Sequence, residues 1–548
     1  MNAAGDSFRT HDVRNQPPPL GPVNRYGADR VLRDAVVRNG GGWGEERLTS
    51  YGALVGGPLA EAGAVADRFG PELVTHDHAG HRIDEVRFHP AYHQLMDAAI
   101  AHGVHALPWR EPGPGAHVVR AALELLHNQA DAGTDCPVTM TFASVPTLRL
   151  APALAEAWLP RVTATVYDGG HRPWYEKAGV SLGMAMTEKQ GGTDVRANTT
   201  RAEPAGEDGL FALVGHKWFC SAPMSDGFLT LAQRPEGLTC FLLPRFAPDG
   251  TRNGIRIQRL KDKLGNRSNA SAEVEFQGAL AWQVGEAGRG VPTIIEMVSM
   301  TRFNCMVGST GLMRRALSEA CHHAQHRVVL GRSLADQPLM RNVLADLALE
   351  VEAAVAYTFR VARALDEAAD SAHARAFLRL ARAVGKYWIC KRAPAHVNEA
   401  QECLGGGGYV ETSPLPRVYR EAPVNSIWEG SGNVQCLDVL RALARSPEAF
   451  EATLAELEAA GGRDARLDAH VAALKDDLSD REDLEFRARN LVERLAVALQ
   501  AVALLDGGPT VAEAFLAARL APGGLAFGTL PRDVDAGRLI ERATLDRR

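Results

Sequence analysis

Paired cysteines, long apolar runs and an excess of positive charge are all missing from this chain of 548 residues. Its eight cysteines (136, 220, 240, 305, 321, 390, 403 and 436) are scattered, with no C-x-x-C pair and no cluster. That argues against a zinc ribbon or a disulfide framework and reads as buried free thiols in a reducing compartment, so a cytoplasmic location is expected. No stretch approaches the ~18 consecutive apolar residues of a membrane-spanning helix, so no membrane partner is expected. The opening MNAAGDSFRTHDVRNQPPPL lacks the apolar segment of a secretory signal. Lys+Arg number 60 against 66 Asp+Glu, a net charge of −6, which excludes the overall cationic field of a nucleic-acid coat protein. Aromatics are sparse at 6%, yet 46% apolar and 23% charged residues are ordinary for a globular protein and exclude disorder over the whole length. At roughly 100–200 residues per domain, three to five domains are expected.

Five regions are legible. Residues 1–44 are polar and rich in Pro, Gly and Arg, and read as an arm. Residues 45–180 are helical in texture: His117–Leu126 places Val118, Ala122, Leu125 and Leu126 on one stripe. Within them Cys136–Arg149 carries two prolines and reads as a buried bend. Residues 181–287 alternate apolar and polar side chains in short runs separated by PEG, PDG and RNG turns, the pattern of a small antiparallel sheet or barrel. Residues 288–445 return to long helices, four in number, with Leu339, Val343, Leu347, Val351, Val355 and Phe359 repeating every four residues; Pro394 should kink or break the third. Residues 446–548 are again helical and hold 13 Lys+Arg and 19 Asp+Glu, so the whole net charge lies there and residues 1–445 hold 47 of each.

Five segments could carry chemistry. Met186–Val195 (MTEKQGGTDV) offers hydroxyls, small side chains and backbone N–H groups at Thr187, Gly191, Gly192, Thr193 and Asp194, able to cradle a polyanion or simply to turn between domains. In Gly215–Pro223 (GHKWFCSAP), Trp218 and Ser221 could present an indole face and a hydroxyl to a flat ring, or pack in the core. LGGGGY at 404–409 follows a helix instead of opening one, so it reads as a helix end and not as a dinucleotide fingerprint. In Asn425–Asn433 (NSIWEGSGN), Glu429 between Trp428 and Gly430 suits a general base of raised pKa, or a helix-dipole acid. His322, His323 and His326 lack an acidic third ligand, so no metal is expected and a solvated helix face is the simpler reading.

The order of these segments is more informative than any one of them: TExxxGTD, W-x-x-S, R-x-x-L-G, GGxGY and WEGSGN, spaced around the changes of texture. The chain resembles the acyl-CoA dehydrogenase family over about residues 45–445. VGHKWFCSAPMSD, RLKDKLGNRSNASAEVEF, YREAPVNSIWEGSGNVQCLDVLR, the arm NQPPPL and the long tail resemble its DNA-alkylation-response branch, the AidB-type proteins. The resemblance implies a mainly α fold with a helical N-terminal domain, a middle β-domain, a C-terminal four-helix bundle and an extra helical domain.

It also implies FAD. Met186, Thr187, Glu188, Gly191, Gly192, Thr193, Asp194 and Val195 would wrap the flavin ring and pyrophosphate, with Thr187 near the ring and Thr193 on phosphate. Trp218 would pack on the isoalloxazine, Ser221 would hydrogen-bond beside it, and Ile427, Gly430, Ser431, Gly432 and Asn433 would cover the adenosine and the ring edge. Arg327 would reach the FAD of a neighbouring subunit, although Leu330 stands where the family motif has Phe; such sharing implies a homotetramer. Glu429 would remove the α-proton of an acyl thioester while a hydride leaves Cβ for flavin N5. The alternative is a protein that binds double-stranded DNA during alkylation stress, with dehydrogenase activity vestigial. Arg441 and Arg445, and the Arg252–Lys263 segment, are then the phosphate contacts, against an acidic tail that would repel DNA. Neither the acyl chain nor the electron acceptor has a sequence signature.

Overall fold

The computed structural model describes residues 8, 10–206, 209–480, 482–521 and 523–546. The segment read as an arm is mostly exposed to about residue 24, buries Arg25, Tyr26 and Ala28, and then forms a helix, Arg30–Arg38, capped by the Asp29 carboxylate on the Leu32 N–H. Residues 1–7 and 9 of the arm lie outside the described residues. The next part is helical, as expected, with one exception. A hairpin of β1 (Glu72–His76) and β2 (Arg82–Arg87) turns at the exposed 77–81 loop, where the Asp77 carboxylate accepts the Ala79 and His81 N–H groups.

The expected bend at Cys136–Arg149 is a helix, Ala132–Leu148, that runs through Pro137 and Pro146. Asp131 caps its start on the Thr134 N–H at 2.7 Å, and nearly every residue of it is buried, so packing overrides the two lost backbone donors. Helix Ala116–Ala130 beside it is buried on every face.

The middle region is a closed sheet. Its strands are β3 (Leu182–Ala185), β4 (Arg201–Pro204), β5 (Leu210–Ser221), β6 (Gly227–Arg234), β7 (Gly237–Pro244), β8 (Ile255–Leu260) and β9 (Ser271–Val284). Pairing runs β6-β4-β5-β9-β7 and back to β6, which closes a ring, with β3 added on β6 and β8 on β9. Most pairs are antiparallel, but β3 and β4 lie parallel to β6. These strands are not sequence neighbours, so turn signals cannot reveal the parallel pairings. Phe228, Phe241, Ile257, Val274 and Phe276 fill the interior.

The bundle consists of helices Gly290–His326, Pro338–Glu367, Ala372–Glu402 and Gly432–Arg445. The first, at 37 residues, is about 55 Å long. The third continues through Pro394, so the expected break does not occur. Between the first two, Val328–Val329 and Arg332–Ser333 form a second hairpin, β10 and β11. The C-terminal helices share the bundle's core: Leu491, Leu495 and Leu499 of helix Leu484–Leu505 pack in the same cluster as Leu347 and Val351. Ionic contacts reinforce the seam. Arg519 meets Asp346 at 2.5 Å and Glu350 at 3.1 Å, and Arg542 meets Glu352 at 2.9 Å. All eight cysteines are buried and unpaired. Among the described residues no helix is long and apolar enough to cross a membrane.

Candidate active site

Glu429 occupies the loop that enters the last bundle helix, and its backbone is held where a side chain rarely goes. Glu429 has φ +58° and Gly430 φ +95°, two successive left-handed residues. Three side chains hold this turn. Lys386 Nζ donates to the carbonyls of Trp428 (2.7 Å) and Gly430 (2.5 Å), Gln435 Nε2 to those of Glu429 (3.1 Å) and Gly430 (2.9 Å), and Arg302 Nε to that of Glu429 (3.3 Å). Arg302 is itself tied to Asp438 at 2.7 Å. Trp428 Nε1 donates to Asn425 Oδ1 at 3.0 Å. The half-buried Glu429 carboxylate accepts a hydrogen bond from Thr301 Oγ1 at 2.6 Å. Burial raises its pKa above the ordinary carboxylate value; the Thr301 bond and the charges of Lys386 and Arg302 oppose that rise without cancelling it.

Thr301, Arg302, Lys386 and Gln435 had not been singled out in the sequence. Only Gln435 lies near a motif. Thr301-Arg302, a polar pair in the middle of a long buried helix, was the one available signal.

The first two motifs meet directly. The Trp218 N–H donates to the Thr187 carbonyl at 2.7 Å, and the Lys189 N–H to His216 Nε2 at 3.0 Å. The β5–β9 register slips between Lys217 and Cys220, so a bulge sits at Trp218 and re-aims its side chain. Lys261 Nζ lies 3.3 Å from the centroid of the Trp218 ring. Behind the loop, the fully buried Glu188 carboxylate pairs with Lys217 Nζ at 2.9 Å and accepts from the Thr199 and Thr200 N–H groups. Burial works against its charge, but Lys217 and those hydrogen bonds hold its pKa down at about 2. Glu188 is thus the loop's inner anchor.

In front, Gly191, Gly192, Thr193 and Asp194 are exposed, and among the described residues the N–H groups of the last three donate to nothing. Gly191 has φ +146°, and a Cβ on Gly192 would lie 2.5 Å from Thr187 Oγ1. A row of three free donors, the first on a glycine pressed against Thr187, fits a pyrophosphate, so the residues present suit the dinucleotide end of FAD. Met186, Thr187, Val195 and Ser221 are half-buried around it.

Cys136 links the two halves of the site. Burial pushes its thiol up to about 12, with Lys263 opposing, and both the Glu429 charge and the Ser221 hydroxyl act on it. Met186, Ala222 and Trp428 pack in the same apolar cluster as Cys136.

Other expected residues lie further out. Ile427, Ser431 and Asn433 are exposed, Gly432 is buried, and Asn433 Oδ1 accepts from Arg489 of the C-terminal helices at 2.8 Å. Arg327 is not brought to Glu429. Its Nη1 donates to the Asn15 carbonyl at 2.5 Å, and Asn15 Nδ2 donates to the Val328 carbonyl at 2.7 Å, so the arm lies along the β10–β11 hairpin. His322 is not on a solvated face: it is buried and bonded to the Pro18 carbonyl at 2.8 Å. Arg441 and Arg445 are exposed near the end of their helix.

Three family matches cover this architecture in order. Residues 15–169 match the adaptive response protein AidB N-terminal domain, 183–279 the acyl-CoA dehydrogenase middle domain, and 288–444 the acyl-CoA dehydrogenase C-terminal domain. The putative acyl-CoA dehydrogenase AidB of Escherichia coli (strain K12) is 49% identical over 491 residues, 89% of this chain and 90% of that protein. The chain belongs to the acyl-CoA dehydrogenase family. Within that family it falls in the AidB branch, and the family's members are FAD-dependent oxidoreductases acting on CH–CH bonds. Acyl-CoA dehydrogenase family member 11 of Caenorhabditis elegans is 33% identical over 409 residues, 72% of this chain and 66% of that protein. The crystal structure of Caenorhabditis elegans ACDH-11 in complex with C11-CoA superposes with a TM-score of 0.84 at 27% identity, covering 100% of this chain and 96% of that one.

Proposed function

We propose that this protein desaturates an acyl thioester between Cα and Cβ, with Glu429 as the base. The observation that carries the reading is the Glu429 carboxylate itself, half-buried, raised in pKa and aimed by a strained turn that five side-chain hydrogen bonds hold in place. A carboxylate whose pKa is raised in this way is, once deprotonated, a stronger base than one in water. Met186–Val195, Trp218 and Ser221 would hold FAD, and Ile427–Asn433 would close over it. Bound FAD supplies the acceptor for the pair of electrons that leaves Cβ. Glu429 takes the α-proton, Thr301 stays bonded to its second oxygen, and Trp428 and Cys136 help exclude water. The C11-CoA held by a relative of the same fold supports a CoA thioester. The test is anaerobic titration of the purified yellow protein with acyl-CoAs of increasing chain length. Bleaching of the flavin by at least one supports the reading, and bleaching by none contradicts it.

The same reading makes the protein a cytoplasmic homotetramer. The tip of the β10–β11 hairpin, with Leu330 95% exposed, offers an apolar contact beside Arg327 for a neighbouring subunit.

A second reading, binding to double-stranded DNA, is favoured by one observation. Arg441 and Arg445 stand one turn apart, exposed, and among the described residues neither has a carboxylate partner. Replacing both by Gln should weaken DNA binding and reduce the slope of log K against log salt by roughly 2, about 0.9 per phosphate contact. An unchanged slope would exclude these two residues.

A further inference from the structure

A cleft with no part in the chemistry above opens between the β1–β2 hairpin, helix Pro90–Ala101 and the barrel. It has a larger lobe of about 550 Å³ and a smaller one of about 250 Å³, which meet at Glu85 and His171. None of Thr187, Trp218, Thr301, Trp428 and Glu429 lines it. It backs onto the active site only through Pro137 and Ala222, the chain neighbours of Cys136 and Ser221.

One wall of the large lobe is apolar, while Glu85, Arg87, His93, Asp168 and Lys177 line the rest. Phe88 and Tyr92 stack at 3.9 Å between centroids, and Met96 and Met224 complete the surface. The charges around the cleft are paired with one exception. Lys177 meets Asp226 at 2.7 Å, Arg87 meets Glu85 at 3.2 Å, and Asp84 is shared by Arg82 at 3.0 Å and Arg252 at 3.3 Å. Arg245 has no such partner. Among the described residues it makes no ion pair; its Nη1 reaches only the Met224 sulfur, at 3.1 Å, and its Nε is buried with no acceptor. The Ser225 hydroxyl, on a residue only 2% exposed, also lines the cleft without a partner.

A guanidinium largely taken out of water is expensive unless a carboxylate bonds it directly, and here Asp226 and Glu85 act on Arg245 only from beyond ion-pair distance. Burial draws the Arg245 pKa down to about 10, which leaves it cationic at neutral pH. Burial and Arg245 together draw His171 down to about 4, so at neutral pH that ring adds hydrogen bonds and no charge. What is missing is an acceptor carrying negative charge, beside a slot lined by two aromatic rings and two thioethers.

We propose that this cleft is a second ligand site, separate from the flavin site, for an organic acid with a flat apolar body. Its carboxylate meets Arg245 in the small lobe, and its body lies against Phe88, Tyr92 and Met96 in the large lobe. The site does not depend on the desaturation reading, because none of its residues touches the reacting atoms.

The test is calorimetric titration of the purified FAD-loaded protein with 4-phenylbutanoate and, as the uncharged match, 4-phenylbutan-1-ol. The acid should bind at least tenfold more tightly than the alcohol. Arg245→Gln should abolish that preference. His171→Trp, an exposed position at the junction of the lobes, should weaken the acid at least tenfold while leaving the melting temperature of the unliganded protein unchanged. It therefore decides the matter even if Arg245→Gln folds poorly. Equal binding of acid and alcohol, no binding of either, or wild-type binding by either folded variant overturns the proposal. So does displacement of the acid by a saturating acyl-CoA, which would make the cleft an arm of the acyl site.

Discussion

Thr301 Oγ1 lies 2.6 Å from Glu429 Oε2 and 3.0 Å from the Val298 carbonyl, and its single hydrogen can serve only one of them. When Glu429 is ionised, the carboxylate is the stronger acceptor and takes it. Once Glu429 is protonated, the hydroxyl can turn back to Val298. Thr301 therefore favours the ionised base and restrains the rise in pKa that burial imposes.

Removing that hydroxyl has a defined sign. In Thr301→Val the burial effect is less opposed, so the Glu429 pKa rises further above the ordinary carboxylate range. A base acts only when deprotonated, so the acid limb of kcat/KM against pH should move to higher pH and activity near neutrality should fall several-fold. Thr301→Ser should restore the wild-type limb. An unmoved limb in Thr301→Val would mean that Thr301 does not act on the ionisation of Glu429.

The Glu188–Lys217 pair makes the cofactor loop a matter of stability as well as binding. Lys217→Met leaves a carboxylate with no water and no cation, which should cost about 3–5 kcal/mol in chemical denaturation. Adding Glu188→Gln should recover most of the loss. The folded-state pKa of Glu188 is held at about 2, below its unfolded value of ~4.3. Its stabilising contribution is therefore present above ~4.3 and disappears as pH falls toward about 2. Denaturation midpoints measured across that window should drop more steeply for the wild type than for the double variant.

Gly192 separates folding from cofactor binding. A methyl group there would meet Thr187 Oγ1 at 2.5 Å and push the exposed loop outward, away from the barrel core. Gly192→Ala should keep the wild-type melting temperature of the apo protein and lose most of its 450 nm flavin absorbance. Full flavin content in that variant would move the pyrophosphate away from this loop.

What the sequence displayed, and what it hid, follows from how far apart the parts lie along the chain. TEKQGGTD, HKWFCS and WEGSGN are contiguous, so their small residues, indoles and carboxylate could be read locally. The longer bundle helices were legible because an apolar stripe can repeat along thirty or so residues, as in Pro338–Glu367. Thr301, Arg302 and Lys386 were not, because they reach the Glu429 turn from inside two long helices, Gly290–His326 and Ala372–Glu402, far from it in the chain. The helix through Pro137 and Pro146 was hidden for a related reason: its support comes from helices and strands on all sides. The parallel pairing of β3 and β4 with β6 likewise depends on the closure of the barrel.

The central claim is that Glu429 is the base. It is tested most directly by mixing the FAD-loaded Glu429→Gln variant anaerobically with an acyl-CoA that bleaches the wild type. The account predicts that the variant remains yellow, keeps the wild-type flavin content and binds the thioester, but bleaches at least about a hundredfold more slowly. Bleaching at the wild-type rate would contradict it.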